Sequence, residues 1–206
     1  MASVEVVLDG HRRMGRRLRD DTVRLLGQPW QALRHGQLSR CWLGPAGAAA
    51  VLVLSLVART APGHAFLQRW AIMRGSDPWW VTLEKVPLSV FAPAHLLPFG
   101  FAMLQVCVVL GGAQALVGVR RTLAVAVAGH VLGSFSLRAW VWLEPPVGLP
   151  HHFLHLPDAG PSVAVLAVAV FLVVRLRVLW LAALLLAYHV AEWFVIAGIA
   201  QREHLV

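Results

Sequence analysis

Lysine is nearly missing from this 206-residue chain: Lys85 stands alone among 18 basic residues, and the rest are arginine. So general a replacement reflects a GC-rich genome rather than a chemical need. Charge of any kind is scarce, at 14% of residues, while 58% are hydrophobic and the mean hydropathy is +0.68. That balance excludes an ordinary soluble domain and places the chain in a bilayer. Only two cysteines occur, Cys41 at the edge of an apolar block and Cys107 inside one, which argues against a disulfide framework. Residues 1–41 lack an apolar run and carry eight arginines, so no cleavable signal peptide of the usual form is expected and the amino terminus should stay cytoplasmic.

What is present is apolar length. Five blocks, at 42–58, 96–119, 122–143, 160–174 and 178–200, approach the roughly 17 to 24 residues that cross a hydrocarbon core about 30 Å thick. A lone spanning segment must satisfy its own backbone hydrogen bonds, so each block should be helical. The expected fold is all-α, a polytopic transmembrane bundle of about five spanning helices. The fourth block is the shortest; it is expected to begin in the outer headgroup region and reach inward to Arg175 and Arg177. Gly111, Gly112 and Ala115, then Ala126, Gly129, Gly133 and Ser134, have spacings that let helix backbones approach closely.

With the amino terminus inside, the cytoplasmic stretches hold twelve cations, and none falls between Glu144 and Asp158. The formal charge of +8 could suggest nucleic acid, but these arginines are divided among short connections on one face. Orientation and contact with anionic lipid headgroups account for them better, so the expected partner is the lipid bilayer and not nucleic acid. Residues 1–41 read as an Arg-rich cytoplasmic segment in which "HRRMGRRLRD" lies at the interface; residues 42–206 read as the transmembrane domain. Within that domain, 59–94 mixes tryptophans, prolines and single charges as a membrane-surface loop does, with Trp79 and Trp80 as anchors.

Ionisable side chains inside spans are costly, and four qualify: His130, Arg138, His189 and Glu192. Arg138 and Glu192 fall at nearly the same depth, which predicts a structural ion pair. His189 shares a helical face with Glu192 and is either a satisfied neutral histidine or a weaker candidate base. The outer stretch "EPPVGLPHHFLHLPDAG" offers His151, His152 and His155, with Asp158 beyond them. Two imidazoles four residues apart can share a metal ion, which keeps a metal-binding reading open beside interfacial histidines. No cofactor is otherwise indicated.

"LPDAGPSVAVLAVAVFLVV" raises the catalytic question, because Ser162 stands at the amino terminus of the fourth apolar block. A helix amino terminus stabilises oxyanions, although Pro followed by a small polar residue is also an ordinary helix start. A long surface loop after the first span, a His at the outer start of the second and Gly-x-Ser at the outer start of the fourth resemble the rhomboid family of intramembrane serine proteases. "GHVLGS", with Gly129 and His130, is similar to the third span of actinobacterial rhomboid-like proteins, implying a bacterial plasma-membrane protein. The resemblance implies Ser162 as nucleophile, His204 in "REHLV" as base, and His95 and Gly160 at the oxyanion position. It also implies a core in which the sixth span is missing or truncated.

The chain departs from that pattern at telling positions. Phe99 stands where the oxyanion asparagine belongs, Val163 replaces the second glycine of the serine motif, and Pro161 has no N–H beside the nucleophile. Loss of one oxyanion donor typically lowers the rate about a hundredfold to a thousandfold. The leading expectation is therefore a rhomboid-like membrane protein with little or no protease activity that binds transmembrane segments of other proteins. An active intramembrane serine endopeptidase and a metal-binding membrane protein are the alternatives.

Overall fold

The structure, a computed structural model, describes residues 2–93, 99–143 and 154–195, with side chains for 15–93, 99–143 and 154–191. Among these residues every regular element is helical: α1 (Ala2–Arg34), α2 (Leu43–Val57), α3 (Ala61–Trp70), α4 (Trp79–Ser89), α5 (Phe99–Val117), α6 (Val119–Trp142), α7 (Ser162–Arg175) and α8 (Leu179–Val195). By length and composition α5 and α6 are the two that can cross a membrane, while α2, α7 and α8 are shorter apolar helices. The expected all-α class stands at that level.

The bundle is organised around α5, which packs against α1, α2, α6 and α7. Its core joins Leu43 and Val51 of α2, Val106 and Leu110 of α5, Ala126 of α6 and Val168 and Leu172 of α7. One polar side chain inside this contact is spent on the backbone: Gln114 accepts from the Leu43 N–H at 2.7 Å and donates to the Ser39 carbonyl at 2.9 Å. It thereby satisfies an orphan donor at the start of α2, where no side chain of the helix's own caps it. Only Gly118, at φ 85, separates α5 from α6, so the two run antiparallel through a left-handed hinge that suits glycine.

The stretch expected as a surface loop at 59–94 contains two short helices. Thr60 accepts from the Gly63 N–H at 3.1 Å and caps α3, and Pro78 precedes the first turn of α4. Prolines at 62 and 87 and helices of 10 and 11 residues give the segment its irregular look in sequence.

The segment 154–161 runs back along α6 from its carboxyl-terminal end: Leu154 and Leu156 pack on Leu137 and Val141, and α7 then starts beside Gly133. Because Gly129 and Gly133 have no side chains, Ala167 and Val163 of α7 press onto the α6 backbone there. Ser162 therefore begins α7 level with the middle of α6. A Cβ at Gly133 would lie 2.6 Å from Val163 Cγ1, and one at Gly129 would overlap Ala167 Cβ. Gly129→Ala is expected to destabilise the protein by about 1–3 kcal/mol, and adding Ala167→Gly should recover part of the loss, measured as the thermal midpoint in detergent.

Candidate functional site

Three side chains at i, i+4 and i+8 on α6 make a polar stripe: His130, Ser134 and Arg138. Each holds a different segment of the chain. His130 Nε2 lies 2.7 Å from Ser89 Oγ at the end of α4. Ser134 donates to Asp158 Oδ2 at 3.4 Å, a long contact, and Arg138 donates to the Arg74 carbonyl at 2.6 Å while its guanidinium lies over the Phe135 ring.

The segments held in this way are also joined to one another. Met73 and Asp158 form an isolated antiparallel bridge, with N–H to carbonyl distances of 2.9 and 2.8 Å. The Ser76 N–H donates to the Leu154 carbonyl at 3.0 Å, and the Gly160 N–H donates to the Ser89 carbonyl at 2.8 Å. Gly160 makes that bond at φ 130, backbone that side-chain-bearing residues rarely adopt. Below the bridge, the Lys85 ammonium donates to Asp77 Oδ2 at 2.7 Å and to the Ile72 carbonyl at 2.9 Å. Asp77 Oδ2 also accepts from the Arg74 N–H at 2.9 Å. Residues 71–78, the end of α4 and 154–161 thus form one hydrogen-bonded cap over the carboxyl-terminal half of α6.

The Ser89–His130 pair is the heart of this site, and it is sealed, with Ser89 at 0% and His130 at 2% exposure. Its sense follows from the proton count. The Ser89 hydroxyl has one proton, and it also lies 3.1 Å from the Val86 carbonyl, the helix back-bond that serines commonly make. If the hydroxyl donates there, Nε2–H donates to Ser89 Oγ, and Nδ1, which has no partner among the described residues, is a bare acceptor. The reverse sense would leave Nδ1–H as an orphan buried donor, the rarer and costlier defect. In that sense the imidazole donates to the serine, and the bond fastens the end of α4 to α6.

The residues singled out from the sequence are placed as follows. Ser162 is the first residue of α7 and is half-buried, following the buried Gly160 and Pro161. Gly160 directs its N–H at Ser89. His130 is bonded to Ser89. His189 is half-buried with its ring edge against Tyr188, 5.0 Å between centroids. His155 is exposed. His95, His151, His152 and His204 lie outside the described residues, as does the side chain of Glu192, the expected partner of Arg138. No group of three metal-ligating side chains occurs among the described residues. Sequence reasoning missed Ser89 and Gln114 and took Ser134 only as a small residue for close helix packing; the eight-residue interval from His130 to Arg138, with Ser134 between them, was the available signal for the stripe.

Comparison of the chain with protein-family models, curated proteins and solved structures gives no match.

Proposed function

We propose that this chain is a multi-pass, rhomboid-like protein of the bacterial plasma membrane, amino terminus in the cytoplasm, that binds transmembrane segments of other proteins without cleaving them. The observation that carries the reading is the Ser89–His130 bond. It commits His130, the best-buried histidine among the described residues, to the Ser89 hydroxyl and leaves Ser162 without it. The Gly160 N–H, the nearest backbone donor before Ser162, is engaged with Ser89, and Pro161 has none to offer. Support for binding helices comes from α8, which packs mainly on α7 and leaves Leu184 and Leu186 exposed along the edge of the bundle. Small residues on α6 already accept a neighbouring helix at close range, as helix-binding membrane proteins require.

A fluorophosphonate probe tests the catalytic half of this proposal. Membranes containing the full chain are expected to show no labelling that Ser162→Ala removes, and a model transmembrane substrate should remain intact. Photocrosslinking from position 184 should capture that substrate. Cleavage abolished by Ser162→Ala would establish the alternative, an intramembrane serine endopeptidase with Ser162 as nucleophile, His204 or His189 as base and His95 assisting at the oxyanion. The observation in favour of that alternative is the sunken start of α7, which puts the Ser162 hydroxyl at a helix amino terminus within the bundle.

A further inference from the structure

The helix α1 has two unlike faces. Asp21, Leu25, Pro29 and Ala32, spaced by four, four and three residues, turn inward. Ala32 is 3% exposed, Pro29 lies beside Gly112 of α5, and the Trp180 indole N–H at the start of α8 donates to Asp21 Oδ2 at 2.9 Å. Since Asp21 and Pro29 are about 12 Å apart along the helix at 1.5 Å per residue, α1 reaches from α5 across to α8. It lies at the end of the bundle where α5 and α7 finish and α6 and α8 begin.

Val23, Leu26, Trp30 and Leu33, spaced by three, four and three, form a second stripe that none of the described residues covers. Their exposures are 62%, 57%, 64% and 53%, far beyond what four large apolar side chains on one face of a helix sustain in water. Arg16, Arg24 and Arg34 project beside the stripe, all exposed. Arg120 and Arg121 in the first turn of α6, Arg175 at the end of α7 and Arg177 just beyond it are exposed at the same end. An apolar stripe edged by arginines and crowned with a tryptophan matches one surface in particular: the headgroup and upper acyl region of an anionic leaflet.

We infer that α1 is a lipid-facing anchor whose Val23, Leu26, Trp30 and Leu33 insert into an anionic phospholipid leaflet while its opposite face grips α5 and α8. This assignment extends the interfacial contact from the "HRRMGRRLRD" stretch to residues 23–33. It rests on the membrane reading above, and the charge complementarity decides for lipid over a protein partner. The apolar stripe supplies insertion and the arginines supply selectivity for negative headgroups, so the two should fail separately on mutation.

The test uses the full chain in nanodiscs of phosphatidylcholine alone or mixed with phosphatidylglycerol. Amide hydrogen exchange across residues 15–34 is expected to slow at least about tenfold in the anionic discs, the difference vanishing at high salt. Trp30→Glu should abolish the protection in both lipids, and Arg16→Gln with Arg24→Gln should abolish only the dependence on lipid charge. Quenching by brominated lipid, taken as the difference between the parent and Trp30→Phe, should place the indole in the acyl boundary. Equal exchange in both lipids, or an unquenched Trp30, overturns the inference. So does a detergent-solubilised dimer that Trp30→Glu converts to monomer, since the stripe would then be a contact between two copies. A chain that alkaline carbonate strips from membranes refutes the membrane reading itself, whereas a carbonate-resistant chain with an unresponsive α1 refutes this inference alone.

Discussion

Replacing His130 with alanine is expected to cost about 3–5 kcal/mol, the range for removing a large ring from a packed core. For a chain of this length each kcal/mol moves the thermal midpoint by roughly 2–4 °C, so a fall of about 6–20 °C should be measurable in detergent. Two losses combine. The imidazole fills space at the contact of α4 and α6, and its Nε2–H satisfies the second valence of Ser89 Oγ. Ser89→Ala should cost less, about 1–3 kcal/mol, because it creates almost no cavity and its main effect is to strand a buried donor. The double variant should then be less destabilised than the sum of the singles. Both singles within about 0.5 kcal/mol of the parent, the usual range for surface positions, would show that the pair does not hold α4 in place. Hydrogen exchange at the Gly160 amide gives an independent readout, because its acceptor is the Ser89 carbonyl and should loosen with the helix end.

The cost of those substitutions explains why so much of this site was hidden in the sequence. Helical character and the apolar length of α5 and α6 are written in local composition, and so they were legible. His130 and Arg138 stood out because an ionisable group in an apolar block has no ordinary reason to be there. Their partners did not. Ser89 is 41 positions from His130, and the Arg74 carbonyl is 64 from Arg138, and a backbone oxygen leaves no trace in composition. The course of the 154–161 segment was hidden for a related reason. Its prolines and glycine read as a turn, and the bare stretch of α6 backbone at Gly129 and Gly133 that receives α7 is remote in sequence. Ser162 was read correctly as a helix start, but its level along α6 is set by a neighbour's glycines.

Asp77→Ala is expected to be the other severe substitution, again about 3–5 kcal/mol, through a different mechanism. The Lys85 side chain is 7% exposed and Asp77 19%, so the ammonium has little water to turn to once its carboxylate is gone. It would keep the Ile72 carbonyl alone, and the Arg74 N–H would lose its acceptor at the same time. Lys85→Met removes the charge and preserves the apolar stem, leaving Asp77 more exposed and still bonded to Arg74, so its effect should be clearly smaller. Adding Lys85→Met to Asp77→Ala should recover much of the loss, because an uncompensated buried cation is the main source of the damage. Asp77 secures residues 71–78, which carry Met73 to its bridge with Asp158 and thereby help seat the start of α7. Exchange at the Met73 and Asp158 amides should therefore accelerate in Asp77→Ala and slow again in the double variant. An additive double variant, with no recovery of stability or of those two amides, would mean that the pair is a solvated surface contact and that the cap is held by its backbone bridge alone.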